Sequence, residues 1–164
     1  MSTEAEIAAQ KTAVRAAMAA QLRALSVEER ASRSGIICRR VVDSDAWLRA
    51  ERVLLFSPIR SEPDIAPLGA IATGAGKQIA VMPTTLRNEA DLELPFIPDL
   101  VLVPGVAFSR GGHRLGRGGG FYDRLLTGRA KNASKLGICF ALQLLESIPI
   151  EPHDAVLDAV ISDE

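Results

Sequence analysis

The sequence predicts an α/β fold, a three-layer α/β/α arrangement around a mostly parallel central sheet. Three observations carry this reading. Five short apolar runs, at 53–56, 79–82, 100–103, 136–140 and 159–161, have the length and continuity of strands buried on both faces. Between them fall stretches with helical apolar spacing, so the chain alternates in the manner of βαβ units. With 164 residues, 48% of them hydrophobic, the chain has enough apolar mass for one core, and a single domain over 1–164 is expected.

The elements follow in order. From 4 to 25, Ile7, Val14, Met18, Leu22 and Leu25 recur at the three-, four- and seven-residue steps of an amphipathic helix. Ser26 followed by Glu29 is a capping-box pattern, and Ile36, Ile37, Val41 and Val42 supply the apolar stripe of a second helix. A helical hairpin therefore opens the chain. The run at 53–56 stops before Pro58, a helix is expected over 64–75 with Gly74 and Gly76 ending it, and the run at 79–82 stops at Pro83. The stretch 83–98 is polar, holds three prolines and has no clear period, which reads as a surface connection. Two further helices are expected, over 120–126 and around 142–147.

Charge narrows the function classes. A formal net charge of −1 with 24% charged residues leaves no global field to gather nucleic acid or an anionic membrane surface. The N-terminal residues are acidic and no apolar stretch approaches the roughly 20 residues of a membrane span, so a cytoplasmic protein is expected. Cys38 and Cys139 stand far apart in sequence with no Cys or His at metal-ligand spacing, and read as buried thiols of a reducing compartment.

The chemistry concentrates in one segment. A buried strand at 100–103 feeds Pro104-Gly-Val-Ala-Phe108, then Ser109-Arg-Gly-Gly-His-Arg-Leu-Gly-Arg-Gly-Gly-Gly-Phe-Tyr-Asp-Arg124. A glycine-rich loop entering a helix beyond a strand's carboxyl end offers free backbone N–H groups and the positive end of the helix dipole, which suits phosphate. Arg110, Arg114, Arg117 and Arg124 add cations able to grip phosphate oxygens. The spacing is neither a Walker A loop nor GxGxxG, and from the residues alone a solvated turn with surface-paired arginines stays open beside an anion-binding loop.

The runs Leu-Val-Pro-Gly-Val-Ala-Phe and Arg-Leu-Gly-Arg-Gly-Gly-Gly-Phe-Tyr-Asp-Arg resemble the signature of the 5-formyltetrahydrofolate cyclo-ligase family, also called methenyltetrahydrofolate synthetases. Supporting matches are Lys11-Thr-Ala-Val-Arg15, Pro58-Ile-Arg-Ser-Glu-Pro-Asp64, Pro149-Ile-Glu-Pro-His-Asp154 and Leu157-Asp-Ala-Val160, so the resemblance runs nearly the whole chain in order. It implies a ligase that couples ATP to closure of 5-formyltetrahydrofolate to 5,10-methenyltetrahydrofolate through a phosphorylated formyl group, releasing ADP and phosphate.

By position, the resemblance makes Lys11 and Arg15 phosphate ligands. It wraps Arg114, Leu115, Gly116, Arg117, Gly118, Gly119, Gly120, Phe121 and Tyr122 around ATP beside the formyl group. Asp123 and Asp154 would hold Mg²⁺, and Glu62 would face the reduced folate together with Gly118 to Gly120 and Tyr122. Arg117 and Tyr122 are the residues implied in catalysis. No nucleic acid or membrane partner is expected, and the chain is read as a monomer or weak homodimer. A phosphoryl in transfer needs cations, backbone donors and a metal rather than a covalent nucleophile, which agrees with this set.

Each residue also has a plainer reading. Lys11 and Arg15 lie four apart and could form a solvated basic stripe, Glu62 could be a loop carboxylate, Asp154 could cap a turn, and Tyr122 could pack in the core with ligand contact. His113 is read as a solvated loop histidine. The segment 84–98 is shorter than in the family, lacks its Glu-Pro element and has Phe96 as its one aromatic. The folate wall is thus expected to be reduced or supplied by another chain. A non-catalytic nucleotide-binding relative, or an ATP-dependent enzyme acting on a smaller formyl or amide compound, is the alternative.

Overall fold

The computed structural model describes residues 1–86 and 88–164. Helix α1, Glu4–Arg23, opens on a capping box in which Thr3 and Glu6 exchange side-chain and backbone hydrogen bonds, and it buries Lys11, Met18 and Leu22. Helix α2, Val27–Asp43, opens on the expected box of Ser26 and Glu29 and buries Ser34, Ile37, Cys38 and Val41. The unexpected helix α3, Asp45–Arg49, is capped by Ser44 and tucks Trp47 into the core. Its signal was a capping serine before an aspartate, in a segment too short to show a period.

Five strands form an all-parallel sheet in the order β2-β1-β3-β6-β8. They are β1, Arg52–Phe56; β2, Gln78–Met82; β3, Leu100–Val103; β6, Ser134–Ile138; and β8, Ala159–Ile161. Every residue of β3 is buried, as its unbroken apolar run predicts for the centre of a parallel sheet. Helix α4, Pro67–Gly74, lies between β1 and β2 in sequence and packs on β2 and α2. It starts later than the expected 64–75, because Asp64 turns its carboxylate onto the Ala66 N–H and Pro67 takes the first helical turn.

A second, three-stranded sheet was not anticipated. Strand β4, Ala107–Ser109, pairs antiparallel with β5, Arg114–Leu115, and parallel with β7, Leu144–Leu145. The helix expected around 142–147 does not form. A single 3₁₀ turn, Ala141–Gln143, ends when Leu144 and Leu145 pair with Phe108 and Ser109. So short a run has too few internal bonds to nucleate a helix against a waiting strand. Helix α5, Phe121–Thr127, follows the glycine-rich loop with Gly120 as its N-cap, as expected. The connection 83–98 holds only a 3₁₀ turn, Glu89–Asp91, among its described residues.

At Gly112 the turn between β4 and β5 is tied to the segment that leads into β8. The Gly112 O accepts the Leu157 N–H at 2.8 Å, its φ is +92°, and a β-carbon there would lie 2.3 Å from the Leu157 carbonyl oxygen. Backbone cannot yield as a side-chain tip can. Gly112→Ala should therefore cost at least about 2 kcal/mol in urea unfolding, from the left-handed strain and the clash together. An unchanged midpoint and slope would contradict this placement.

Candidate active site

Two adjoining cavities open where β1, β2 and β3 end. The first, about 440 Å³, is walled by Phe56 and Ser57 after β1, Met82 to Thr84 after β2, and Pro104 and Gly105 after β3, with the glycine-rich loop and the start of α5 closing it. The second, about 610 Å³, lies against α1, with Ala19, Leu22 and Val106 as apolar floor and Arg15, Arg23, Arg60 and Arg117 around it. Ile59, Gly105 and Arg117 line both. Crevices at the carboxyl ends of parallel strands are where open α/β sheets bind ligands.

The loop is shaped from both sides. Arg15 Nε donates to the Gly116 carbonyl at 2.8 Å, so α1 holds the loop's first turn, and Arg124 Nη1 donates to the Gly119 carbonyl at 2.8 Å from the helix side. Gly118 and Gly120 sit at φ of +109° and +69°, a conformation that side chains resist. Arg110, read from sequence as a possible phosphate cation, instead pairs with Glu164 and lines neither cavity. Leu115 turns its side chain into the core and also lines neither.

Arg114 is the unusual group. It is 7% exposed, its Nη1 donates to the Pro104 carbonyl at 3.1 Å, and its guanidinium lies over the Tyr122 ring, 5.3 Å from the centroid. Among the described residues no carboxylate pairs with it. Burial lowers its pKa, and the fields of Asp123, the Tyr122 hydroxyl and Asp154 oppose that shift. A buried cation lacking a paired anion is costly, and one facing a cavity favours an anion there. Burial likewise raises the Tyr122 hydroxyl well above its ordinary value despite Arg114, which keeps it protonated. Phe121 packs edge-on against this ring, with centroids 5.6 Å apart.

Glu62 comes to the same place from the loop after β1. It is 5% exposed; Oε1 accepts the Ile59 N–H at 2.9 Å, and Oε2 faces Arg117 Nη2 at 3.2 Å, with Ser61 Oγ also 3.2 Å from that nitrogen. Sequence reasoning missed Ser61 as a partner of Arg117, and also Gln143. Wholly buried, Gln143 donates from Nε2 to the Gly105 and Val106 carbonyls at 3.0 and 3.1 Å and accepts the Phe140 N–H at 2.8 Å. It thus fixes the wall that both cavities share.

Lys11 is buried and ion-paired to Asp154 Oδ2 at 2.9 Å and Glu151 Oε1 at 2.8 Å. Asp154 also accepts the Glu151 N–H, and Asp123 Oδ1 accepts the Ala155 N–H at 2.9 Å, which brings Asp123 beside the Asp154 turn. No group of three or more Cys, His, Asp or Glu side chains gathers at metal-binding spacing among the described residues. Two hard carboxylates beside the glycine-rich loop could nevertheless hold Mg²⁺, which binds through one or two carboxylates, phosphate and water rather than a protein cage.

The sequence pattern of the 5-formyltetrahydrofolate cyclo-ligase family matches residues 86–163, which include the loop, Asp123 and Asp154. The 5-formyltetrahydrofolate cyclo-ligase of Mus musculus is 26% identical over 190 residues, covering 94% of this chain and 94% of that protein. The chain is similar to 5-formyltetrahydrofolate cyclo-ligases over nearly its whole length. The solved 5,10-methenyltetrahydrofolate synthetase of Aquifex aeolicus is 26% identical, with a TM-score of 0.78 over 94% of this chain and 90% of its own. The synthetase of Mycoplasma pneumoniae, 24% identical, shares the fold with a TM-score of 0.79 over 94% and 99%. The whole-length similarity thus takes in α1 and β1, which lie before the residues that the family pattern matches. No described helix is long and apolar enough to cross a membrane.

The Lys11 clasp has a defined pH window. Burial opposes both charges, yet their hydrogen bonds and attraction prevail, raising Lys11 above its ordinary 10.5 and lowering Asp154 below 3.8. The depressed carboxyl stabilises the fold fully above about pH 4 and loses that contribution as pH falls through its folded value. The raised ammonium contributes below about pH 10 and loses it above. At pH 7, Lys11→Met should cost about 3 kcal/mol, since it strands partly buried carboxylates. Urea unfolding at pH 7 and pH 3 should show the difference from wild type shrinking at the lower value; a constant difference would reject the clasp.

Proposed function

We propose that the chain closes 5-formyltetrahydrofolate to 5,10-methenyltetrahydrofolate with ATP and Mg²⁺, at the junction of the two cavities. The observation that carries this reading is the grouping of buried Arg114, loop Arg117, protonated Tyr122 and Glu62 at the strand ends. There the nucleotide takes the α1-side cavity and the reduced folate the strand-end cavity. Arg117 lines both and follows the phosphoryl group between them, while the N–H groups of Gly116 to Gly120 meet the phosphate oxygens.

The formyl oxygen attacks the γ-phosphorus and the bond to ADP breaks. N10 then attacks the activated carbon and loses its proton, the carbon–oxygen bond breaks, and phosphate leaves. Arg114 and Arg117 neutralise charge on the transferring group, and Tyr122 donates from its hydroxyl beneath Arg114. Glu62 accepts hydrogen bonds from the folate, and Arg15 holds the loop in place as well as facing phosphate. Asp123 and Asp154 hold Mg²⁺, with Lys11 balancing their charge; the ion when bound neutralises phosphate oxygens.

Near-ultraviolet absorbance of the methenyl product, with ADP assayed in parallel, tests the reading. Product formed with one ADP per turnover is expected; nucleotide binding without product would leave a phosphate-binding relative instead. Arg117→Ala should lower kcat/KM roughly 10- to 100-fold, the loss of one charge-assisted contact. Asp123→Asn should raise the Mg²⁺ concentration for half-maximal rate while leaving the unfolding midpoint near wild type. An unaltered Mg²⁺ dependence would remove Asp123 from the metal site.

A further inference from the structure

We infer that Arg30, on α2 and outside both cavities, is the residue that positions Glu62 for folate. Arg30 Nε donates to the Glu62 carbonyl at 3.0 Å and its Nη2 to the Ile59 carbonyl at 3.1 Å. These carbonyls bracket a turn closed by the Glu62 N–H on the Ile59 carbonyl at 2.9 Å and by the Ile59 N–H on Glu62 Oε1 at 2.9 Å. The turn has one acidic side chain, and that side chain is folded back onto its own backbone with Oε2 left for Arg117. A forked guanidinium gripping both ends of the turn fixes where that oxygen points.

The grip extends along one face of α2. Four residues on, Ser34 Oγ accepts the Asp64 N–H at 2.8 Å, and four further Cys38 Sγ meets the Asp64 carbonyl at 3.5 Å. Three polar side chains at helical spacing thus hold the loop 59–64 to α2. Arg30 makes no ion pair among the described residues, and its two acceptors are both neutral carbonyls of this loop. A solvent-facing arginine would not need that arrangement. Its half-buried position, away from substrate, makes it a positioning residue rather than a catalytic one.

The inference rests on the reading of Glu62 as the folate-facing carboxylate, and its test has a readout independent of turnover. In Arg30→Met, amide hydrogen exchange at Ile59 and Glu62 should quicken roughly tenfold while β1 stays protected. Unchanged exchange at these two amides would overturn the positioning role whether or not the protein turns over. In steady-state assays, KM for 5-formyltetrahydrofolate should rise roughly tenfold, with kcat and KM for ATP within about twofold, and Arg30→Lys should recover part of the loss. In a Glu62→Gln background Arg30→Met should add little to the folate KM. Independent, additive losses, or equal rises in both KM values, would show a general structural effect and refute it. Failure of the wild-type protein to make methenyl product would instead strike the proposed activity and leave the exchange result to decide Arg30.

Discussion

The structure turns on how the chain leaves β3. Pro104, Gly105 and Val106 run from the most buried strand into the second sheet, carrying backbone groups that water cannot reach. Each such group needs a partner. Gln143 meets the carbonyls of Gly105 and Val106, Arg114 meets that of Pro104, and the Val106 N–H finds the Leu115 carbonyl at 2.7 Å. Because these partners come from β5 and from the turn before β7, satisfying β3's exit assembles the small sheet. It also draws Arg114 inward and sets the wall between the two cavities. A structural requirement and a functional one are met by the same hydrogen bonds.

Charge follows a similar economy. The molecule is nearly neutral, so an anion must be drawn by local fields rather than by the whole surface. The fold handles its buried cations in two ways. Lys11 is neutralised by Glu151 and Asp154 and ties α1 to the C-terminal loop, whereas Arg114 is left with a carbonyl and an aromatic face. Arg117 lies between these cases, exposed enough to move and paired to a buried Glu62. A ligand phosphate would therefore meet one fixed cation and one exchangeable one, a combination suited to a group that changes partners during reaction.

Much of the fold was legible because its signals are local. The buried strands appeared as unbroken apolar runs, the first two helices as apolar periods with capping boxes, and the loop as glycines between a strand and a helix. The connection 83–98 also kept the irregular character its prolines indicated. The small sheet was not legible, since two of its strands are two residues long and owe their form to pairing rather than to any pattern of their own. The helix expected around 142–147 failed for the same reason.

For the site, residue type and order were enough for the chemical inventory: a glycine-rich loop, its arginines, two aspartates and a glutamate, in the order of a known family. Tertiary structure alone decided which cations are available and which are engaged. Arg110 and Arg124 lie within the loop segment yet bind Glu164 and the Gly119 carbonyl, and Lys11 is held by carboxylates some 140 residues away. It also decided the supporting roles of Arg30, Ser61 and Gln143. Arg30 and Gln143 act on backbone carbonyls distant in sequence, and Ser61 on the side chain of Arg117; a hydrogen bond to a distant partner leaves no trace in residue type or spacing.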